Sequence, residues 1–254
     1  MPLDPPALPW LSPGSPFPGA DCAWDGNSDA PGLLAAGGTL DVPTLRAAYG
    51  SGIFPWFSDG QPILWWSPDP RMVLKVASFK LHRSMHKTLQ RFVADAACEV
   101  RFDTAFSTVI HACANSRRGL QSGTWIVPRM VQAYQQLHTA GSAHSVETWV
   151  DGELMGGLYC VALGHAVFGE SMFTRAPDAS KIALAALVAF CRAKSVEMID
   201  CQQNTAHLAS LGASEIRRSD FLAHVNAVKN TPDLNWHFSS LYWNYLSSDS
   251  TPST

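Results

Sequence analysis

Four segments of this chain set polar side chains at the rim of apolar runs: Tyr49 with GIFPWF and WWSPDPR, then GTWIVPRM, FGESMFTRAPDASK and IDCQQNTAHLASLGA. Ligand sites have this composition, apolar walls with a few polar groups that orient what lies between them. Glu170, in FGES, and Asp200, in MIDCQ, are the carboxylates best placed for chemistry. Each falls at the edge of an apolar strand, where an unpaired charge is costly. Each therefore calls for a cation. That cation is either Arg175 or Lys181, tying strand to helix, or a charged ligand. Gln202, close to Asp200, adds a second polar group there. An amide is a very poor base, so Gln202 either orients a reacting group or acts through polarisation by Asp200.

Other chemistries find little support. His82 and His86 stand four apart on a helical pattern but lack a third ligand, so no metal is expected. There is no GxxxxGK[ST] and no HExxH. The six cysteines, Cys22, Cys98, Cys113, Cys160, Cys191 and Cys201, form no CxxC pair, and several sit among apolar neighbours, as reduced core cysteines do.

The elements that must position these residues can be read from periodicity. The expected class is mixed α/β: a small N-terminal α/β domain (1–75) that includes a proline-rich arm, then a larger domain (76–254) with a mixed sheet flanked by helices. In the first, Gly37-Gly38 makes a turn, Asp41 caps a helix that Gly50 and Gly52 end, and two strands flank the Pro-Asp-Pro turn of PILWWSPDPRMVLKV. In the second, helices are predicted over Ser78–Phe92, Thr104–Asn115 and Pro128–Thr139. Three strands follow from about His144, turned at Asp151-Gly152 and Gly164-His165. Asp178 is expected to cap the buried helix ASKIALAALVAFCRAK. VEMIDCQ and SEIRR read as strands, Thr205 starts a short helix, and Ser219 is expected to cap the last one. The order β-β-β-α-β-α-β resembles the GCN5-type acyltransferase core.

At 254 residues and 46% apolar content the chain has enough material for a real core. Nine tryptophans, five of them between Trp10 and Trp66, can build that core or wall a planar ligand. No apolar run approaches the roughly 20 residues of a membrane span. The start, MPLDPPALPWLSPGSPFPG, lacks a secretory signal's basic and apolar regions, so the chain is expected to be cytoplasmic. Net charge is −3, yet residues 68–94 alone carry +5 and leave −8 on the rest. Such a run is either a solvated face or a local surface for phosphates.

Taken together the segments resemble the leucyl/phenylalanyl-tRNA–protein transferase family. The resemblance runs through GLLAAGGTL, YGSGIFPWFSDGQPILWWSPDPRMVL, LHRSMHK, GTWI, AYQQLHTAGSAHSVETW, GGLYCVALG, GESMFTR, ASKIAL and IDCQ…HLASLGA, most of residues 32–220. FPWF…WWSPDPR and GESMF are specific to that family. Thr39 stands where the family commonly has an acidic residue and Thr174 where it commonly has serine; the first 30 and last 20 residues match poorly.

This likeness implies a monomer that needs no cofactor. It would move leucine or phenylalanine from aminoacyl-tRNA to the α-amino group of proteins beginning with lysine or arginine, marking them for N-degron proteolysis. Tyr49, Trp56 and Trp125 would contact the terminal adenosine and the amino acid, since aromatic faces stack on exposed bases. Leu158, Met172, Leu184 and Ile199 would form the donor slot. Glu170 would lie near the donor's amino group or adenosine, and Asp200 with Gln202 near the reacting amine. Arg71, Lys80, Arg83 and Lys87 would hold the tRNA backbone. A coenzyme A–dependent acyltransferase is the rival enzyme, but TRAPDAS lacks the glycine such a pyrophosphate turn uses. A plain RNA-binding module would leave Glu170, Asp200 and Gln202 without purpose.

Overall fold

The computed structural model describes residues 7–116 and 126–246. The proline-rich start is tied down: β1 (Trp10–Leu11) pairs in parallel with β2 (Leu33–Gly37). Asp41 caps α1 (Val42–Tyr49), its carboxylate accepting the Thr44 amide at 2.8 Å, with Pro43 in the first turn. β3 (Phe54–Pro55) and β4 (Leu64–Trp66) complete a four-stranded sheet in the order β1-β2-β4-β3. The strand after the Pro-Asp-Pro turn, grouped by sequence with this unit, joins the second sheet instead. It is β5 (Arg71–Lys75), and Met72, Val73 and Leu74 are all buried, as in a strand covered on both faces.

A 3-10 turn (Val76–Ser78) leads to α2 (Arg83–Ala94). This helix starts later than the apolar spacing predicts, because the Lys80 amide donates to the Leu211 carbonyl at 2.9 Å and is held out of the helix. β6 (Cys98–Phe102), on the sheet's edge, is absent from the sequence reading; CEVRF is short and mostly half-exposed. α3 (Phe106–Asn115) and α4 (Pro128–Thr139) follow. The antiparallel strands β7 (Ala143–Val150), β8 (Glu153–Leu163) and β9 (Ala166–Thr174) form as expected. Asp151 and Gly152 turn between the first two with φ of 51° and 75°, the left-handed pair a two-residue hairpin needs.

α5 (Ala179–Ala193) comes next. Asp178 occupies the capping position but not the capping role: its carboxylate accepts from Lys181 Nζ at 2.8 Å and bonds no backbone amide. β10 (Met198–Gln202) leads to α6 (Ala206–Ser210), capped by Thr205 through the Leu208 amide at 3.2 Å. β11 (Ser214–Ile216) and α7 (Arg218–Val228) complete the sequence of regular elements. Ser219 lies inside α7 and does not cap it. The Arg218 amide is taken by the distant Asp69 carboxylate at 3.0 Å.

The second sheet runs β11-β5-β10-β9-β8-β7-β6, and only β9 and β10 are parallel neighbours. Side-chain alternation gives it two faces. Leu158, Cys160 and Ala162 of β8 meet α5, whereas Tyr159, Val161 and Leu163 meet the core shared with α3, α4 and the N-terminal unit. Eleven residues of α5 are buried, more than one amphipathic stripe supplies. Its outer side is covered by Trp236, Phe238 and Tyr242 from the C-terminal segment, which ends in a 3-10 helix (Ser240–Leu246). No helix among the described residues is long and apolar enough to cross a membrane.

Candidate active site

β9 and β10 pair only through Ile199↔Val167 and Asp200↔Phe168. Beyond these pairs lie Glu170 and Gln202, and a cavity of about 310 Å³ reaches from there under α5. Leu158, Met172, Leu184 and Ile199, assigned to a slot by resemblance, all line it, together with Leu74 and Leu187. Neighbouring positions on β8 and β9 and one helical stripe of α5 thus converge on one apolar space. A second cavity, of about 210 Å³, is lined by Phe54, Trp56 and Gln202. Glu170, Cys201, Thr205 and Leu208 border both cavities.

Glu170 stands at that shared border. Its Oε1 accepts from Tyr49 Oη at 2.6 Å and from Gln202 Nε2 at 3.0 Å, and its Oε2 accepts from Tyr134 Oη at 3.2 Å. The two tyrosine hydroxyls also bond each other. Burial raises the Glu170 pKa to about 8; the Tyr49 bond opposes this, the Asp200 charge adds to it, and the Tyr134 and Gln202 bonds oppose it again. The group thus holds its proton at neutral pH and gives it up in the range where an α-amine titrates, about 7.7–8.0. Burial pushes both tyrosines well above their ordinary value, so they remain donors. Cys201 is pushed up to about 12 by burial and the Asp200 charge, so its thiol is no nucleophile at neutral pH.

This carboxyl links stability to pH. Its pKa rises from 4.5 in the unfolded chain to about 8 in the folded one, so the folded state keeps a proton that the unfolded state releases. The stabilisation is complete below 4.5 and is lost as pH rises through 8. Glu170→Gln removes this loss. Its stability relative to the wild type is expected to climb between pH 5 and pH 8 by on the order of a few kcal/mol, seen as a rising difference in melting temperature. Thermal melts at the two pH values check it, and a pH-independent difference contradicts the assignment.

Asp200 is not an open carboxylate. It is 1% exposed and paired with Arg71, which is 0% exposed, through Nε–Oδ1 at 2.8 Å and Nη2–Oδ2 at 2.6 Å. This corrects two expectations at once. Arg71 cannot reach a tRNA phosphate, because its side chain is fully buried against Asp200, Phe54 and Phe221, whereas Lys75 at the end of the strand stays exposed. Asp200 is not free to act as the acidic receiver, because both of its oxygens are taken up by Arg71 and one also by the Gln202 amide. Neither Arg175 nor Lys181 partners these carboxylates; they bond the Leu154 carbonyl and Asp178.

Tyr49 also departs from expectation. It is 0% exposed with its ring 5.1 Å from Phe168, so it offers no face to a base, and its hydroxyl bonds Glu170 and Tyr134. Trp56 is partly exposed at the second cavity, tilted against Trp66 at 5.5 Å, and can present a face there. Trp125 lies outside the described residues. Lys80, Arg83 and Lys87 are exposed on α2 and just before it. His82 is exposed and bonds the Ser210 carbonyl at 3.0 Å, and no metal-holding group of three His, Cys, Asp or Glu occurs among the described residues. Tyr134 is the site residue that sequence reasoning missed. It sits in the helix AYQQLHT, where spacing makes it one more core aromatic.

An apolar slot that meets a proton-holding carboxyl and an amide, in a mixed α/β fold, has the composition of a site for an apolar ligand. Comparison with known proteins specifies the family. A family model described as leucyl/phenylalanyl-tRNA protein transferase matches residues 73–226, and the model of that family's N-terminal domain matches residues 38–69. A leucyl/phenylalanyl-tRNA–protein transferase of Polaromonas sp. is 63% identical over 94% of both chains. Those of Albidiferax ferrireducens and Leptothrix cholodnii are 61% identical over the full length of both chains and 57% identical over 93% of this chain and 94% of that one. The chain belongs to the leucyl/phenylalanyl-tRNA protein transferase family and is an aminoacyltransferase. Among solved structures, a conserved protein of unknown function from Staphylococcus epidermidis aligns at 10% identity and a TM-score of 0.34, covering 73% of this chain and 68% of its own, too loosely to bear on the fold.

Proposed function

We propose that this chain takes leucine or phenylalanine from aminoacyl-tRNA and joins it to the α-amino group of proteins beginning with lysine or arginine. The product would be marked for N-degron proteolysis in the cytoplasm, and the enzyme would act as a monomer without a cofactor. The observation that carries this reading is the apolar slot of about 310 Å³ whose border with a second, tryptophan-walled cavity is held by Glu170. The parallel strands that part at the site support reading the larger unit as a GCN5-type acyltransferase core.

In this reading the donor side chain fills the slot and the terminal adenosine lies against Trp56. The incoming amine meets the ester beside Gln202. Because Gln202 Nε2 donates to Glu170, its amide oxygen is left to accept an N–H of the amine. The nitrogen attacks the ester carbonyl, the bond from carbonyl carbon to ribose oxygen breaks, and that oxygen gains a proton as the amine loses one. Glu170, which holds a proton at neutral pH, is able to give it to the departing ribose oxygen while taking the one the amine loses, so that the carboxyl ends as it began. Labelled phenylalanine on tRNA, offered a peptide beginning with arginine and one beginning with alanine, tests the reading. Transfer to the first alone is expected, and transfer to neither sinks it.

The exposed Lys80, Arg83 and Lys87 suit the acceptor-stem backbone, where contacts add affinity without sequence information. Lys80→Ala with Arg83→Ala is expected to weaken tRNA binding about tenfold at moderate salt. The log–log salt slope should fall by roughly 1.5, the release of about two phosphate contacts. Filter binding across a salt series measures both. An unchanged slope returns this face to ordinary solvated surface.

A further inference from the structure

We infer that Arg71 is a positioning residue for Gln202, acting through Asp200, and that this pair aligns the amide with Glu170 without itself meeting substrate. The inference rests on the transfer reaction proposed above. Asp200 Oδ1 accepts from Arg71 Nε and also from the Gln202 backbone amide at 2.9 Å, while Oδ2 accepts from Arg71 Nη2. The carboxylate is thereby fully employed inside the protein. Gln202 has φ of 61°, a left-handed backbone that a residue with a side chain seldom adopts unless its surroundings enforce it. The ladder to β5 slips at this point, Asp200 facing Val73 and Gln202 facing Met72, so Cys201 is the extra residue of a bulge. The bulge aims the Gln202 side chain at Glu170, which it reaches at 3.0 Å.

Arg71 ties this bulge to the opposite wall. Its Nη1 donates to the Gly52 carbonyl at 3.1 Å, and its guanidinium lies 4.8 Å from the Phe54 ring and 4.5 Å from the Phe221 ring. Gly52 and Phe54 precede Trp56 on the segment that walls the second cavity. One buried side chain therefore sets the distance between the tryptophan wall and the amide. Lysine could keep the charge but not the fork, since an ammonium is a single point with no planar pair of donors.

The test begins with Arg71→Met combined with Asp200→Leu, which removes both buried charges together and spares the fold the cost of leaving one unpaired. Expected is a kcat for transfer lower by roughly 100-fold, the scale of a small misplacement at a reacting centre. KM values for both substrates should stay within about threefold. In a Gln202→Ala background the same pair should lower kcat by less than about threefold further, because both changes disable one device. A full, independent loss in that background, or an undiminished kcat in the double variant, overturns the inference. Should the double variant not fold, Arg71→Lys decides, with a kcat about tenfold lower expected and wild-type kcat overturning the inference. A crystal structure of R71K gives a readout without activity: Gln202 leaves the left-handed region and parts from Glu170, or the inference fails. Wild-type enzyme inactive toward every peptide would instead sink the transfer reading.

Discussion

Glu170→Ala is expected to lower kcat for phenylalanyl transfer by about a thousandfold while tRNA affinity stays within severalfold. The size follows from what the carboxyl touches. It is the acceptor for Tyr49, Tyr134 and Gln202, so its removal takes the partner from three donors at once. It is also the group whose proton affinity, raised by burial, suits a proton that must leave an amine, a service of about 100- to 10,000-fold in general acid–base catalysis. Glu170→Gln separates the two contributions, since an amide can still accept bonds but not a proton. If only proton transfer matters, the two variants are equally slow; if only Gln202's placement matters, the glutamine variant recovers most of the rate. Single-turnover assays with preloaded aminoacyl-tRNA report the chemical step directly. Wild-type turnover in Glu170→Ala removes this residue from the reaction.

Leu184→Trp is the second large effect expected, with kcat/KM for phenylalanine lower by at least 100-fold and that for leucine by roughly tenfold. Leu184 lines the slot from α5, and a tryptophan there takes up space that the longer, flat donor ring needs more than the compact leucyl group does. Each methylene of misfit in an apolar pocket is worth about 1–3 kcal/mol, so two or three of them reach this range. The comparison of two donors on one variant cancels any general weakening of the enzyme. Equal losses for both donors would mean that the tryptophan merely damages the fold, and no loss for either would place the donor elsewhere.

Much of this architecture is legible from residue order because local rules dominate it. Strands β7, β8 and β9 announce themselves through alternation and the Asp151-Gly152 turn, and α5 through its unbroken apolar run. Leu158, Met172, Leu184 and Ile199, grouped by the family likeness, line one cavity. What escapes is long-range. Arg71 and Asp200 are 129 positions apart, and nothing local marks a basic residue in a surface-looking run as the partner of an acid in a distant strand. A signal did exist: RMVLK sets Arg71 directly against a run of three apolar residues and MIDCQ sets Asp200 inside another, and two such charges need each other. Tyr134 gives no comparable hint, since a helix aromatic that reaches a carboxylate looks like one that merely fills a core. Asp178 and Ser219 show the limit of capping rules. A nearby lysine captured the first side chain, and a remote aspartate took the second's expected place at its helix.

The slot shares α5 with the deepest part of the molecule, and this ties diet to durability. Under the proposed transfer, Leu184 and Leu187 could not shrink to admit a bulkier donor without leaving a cavity beside the buried helix α5. Met172 and Leu208, on the opposite side and partly open to solvent, carry no such burden. Under that same proposal, change toward a new donor would have one permissive flank and one forbidden one, and variants with altered donor choice should be sought at these two positions.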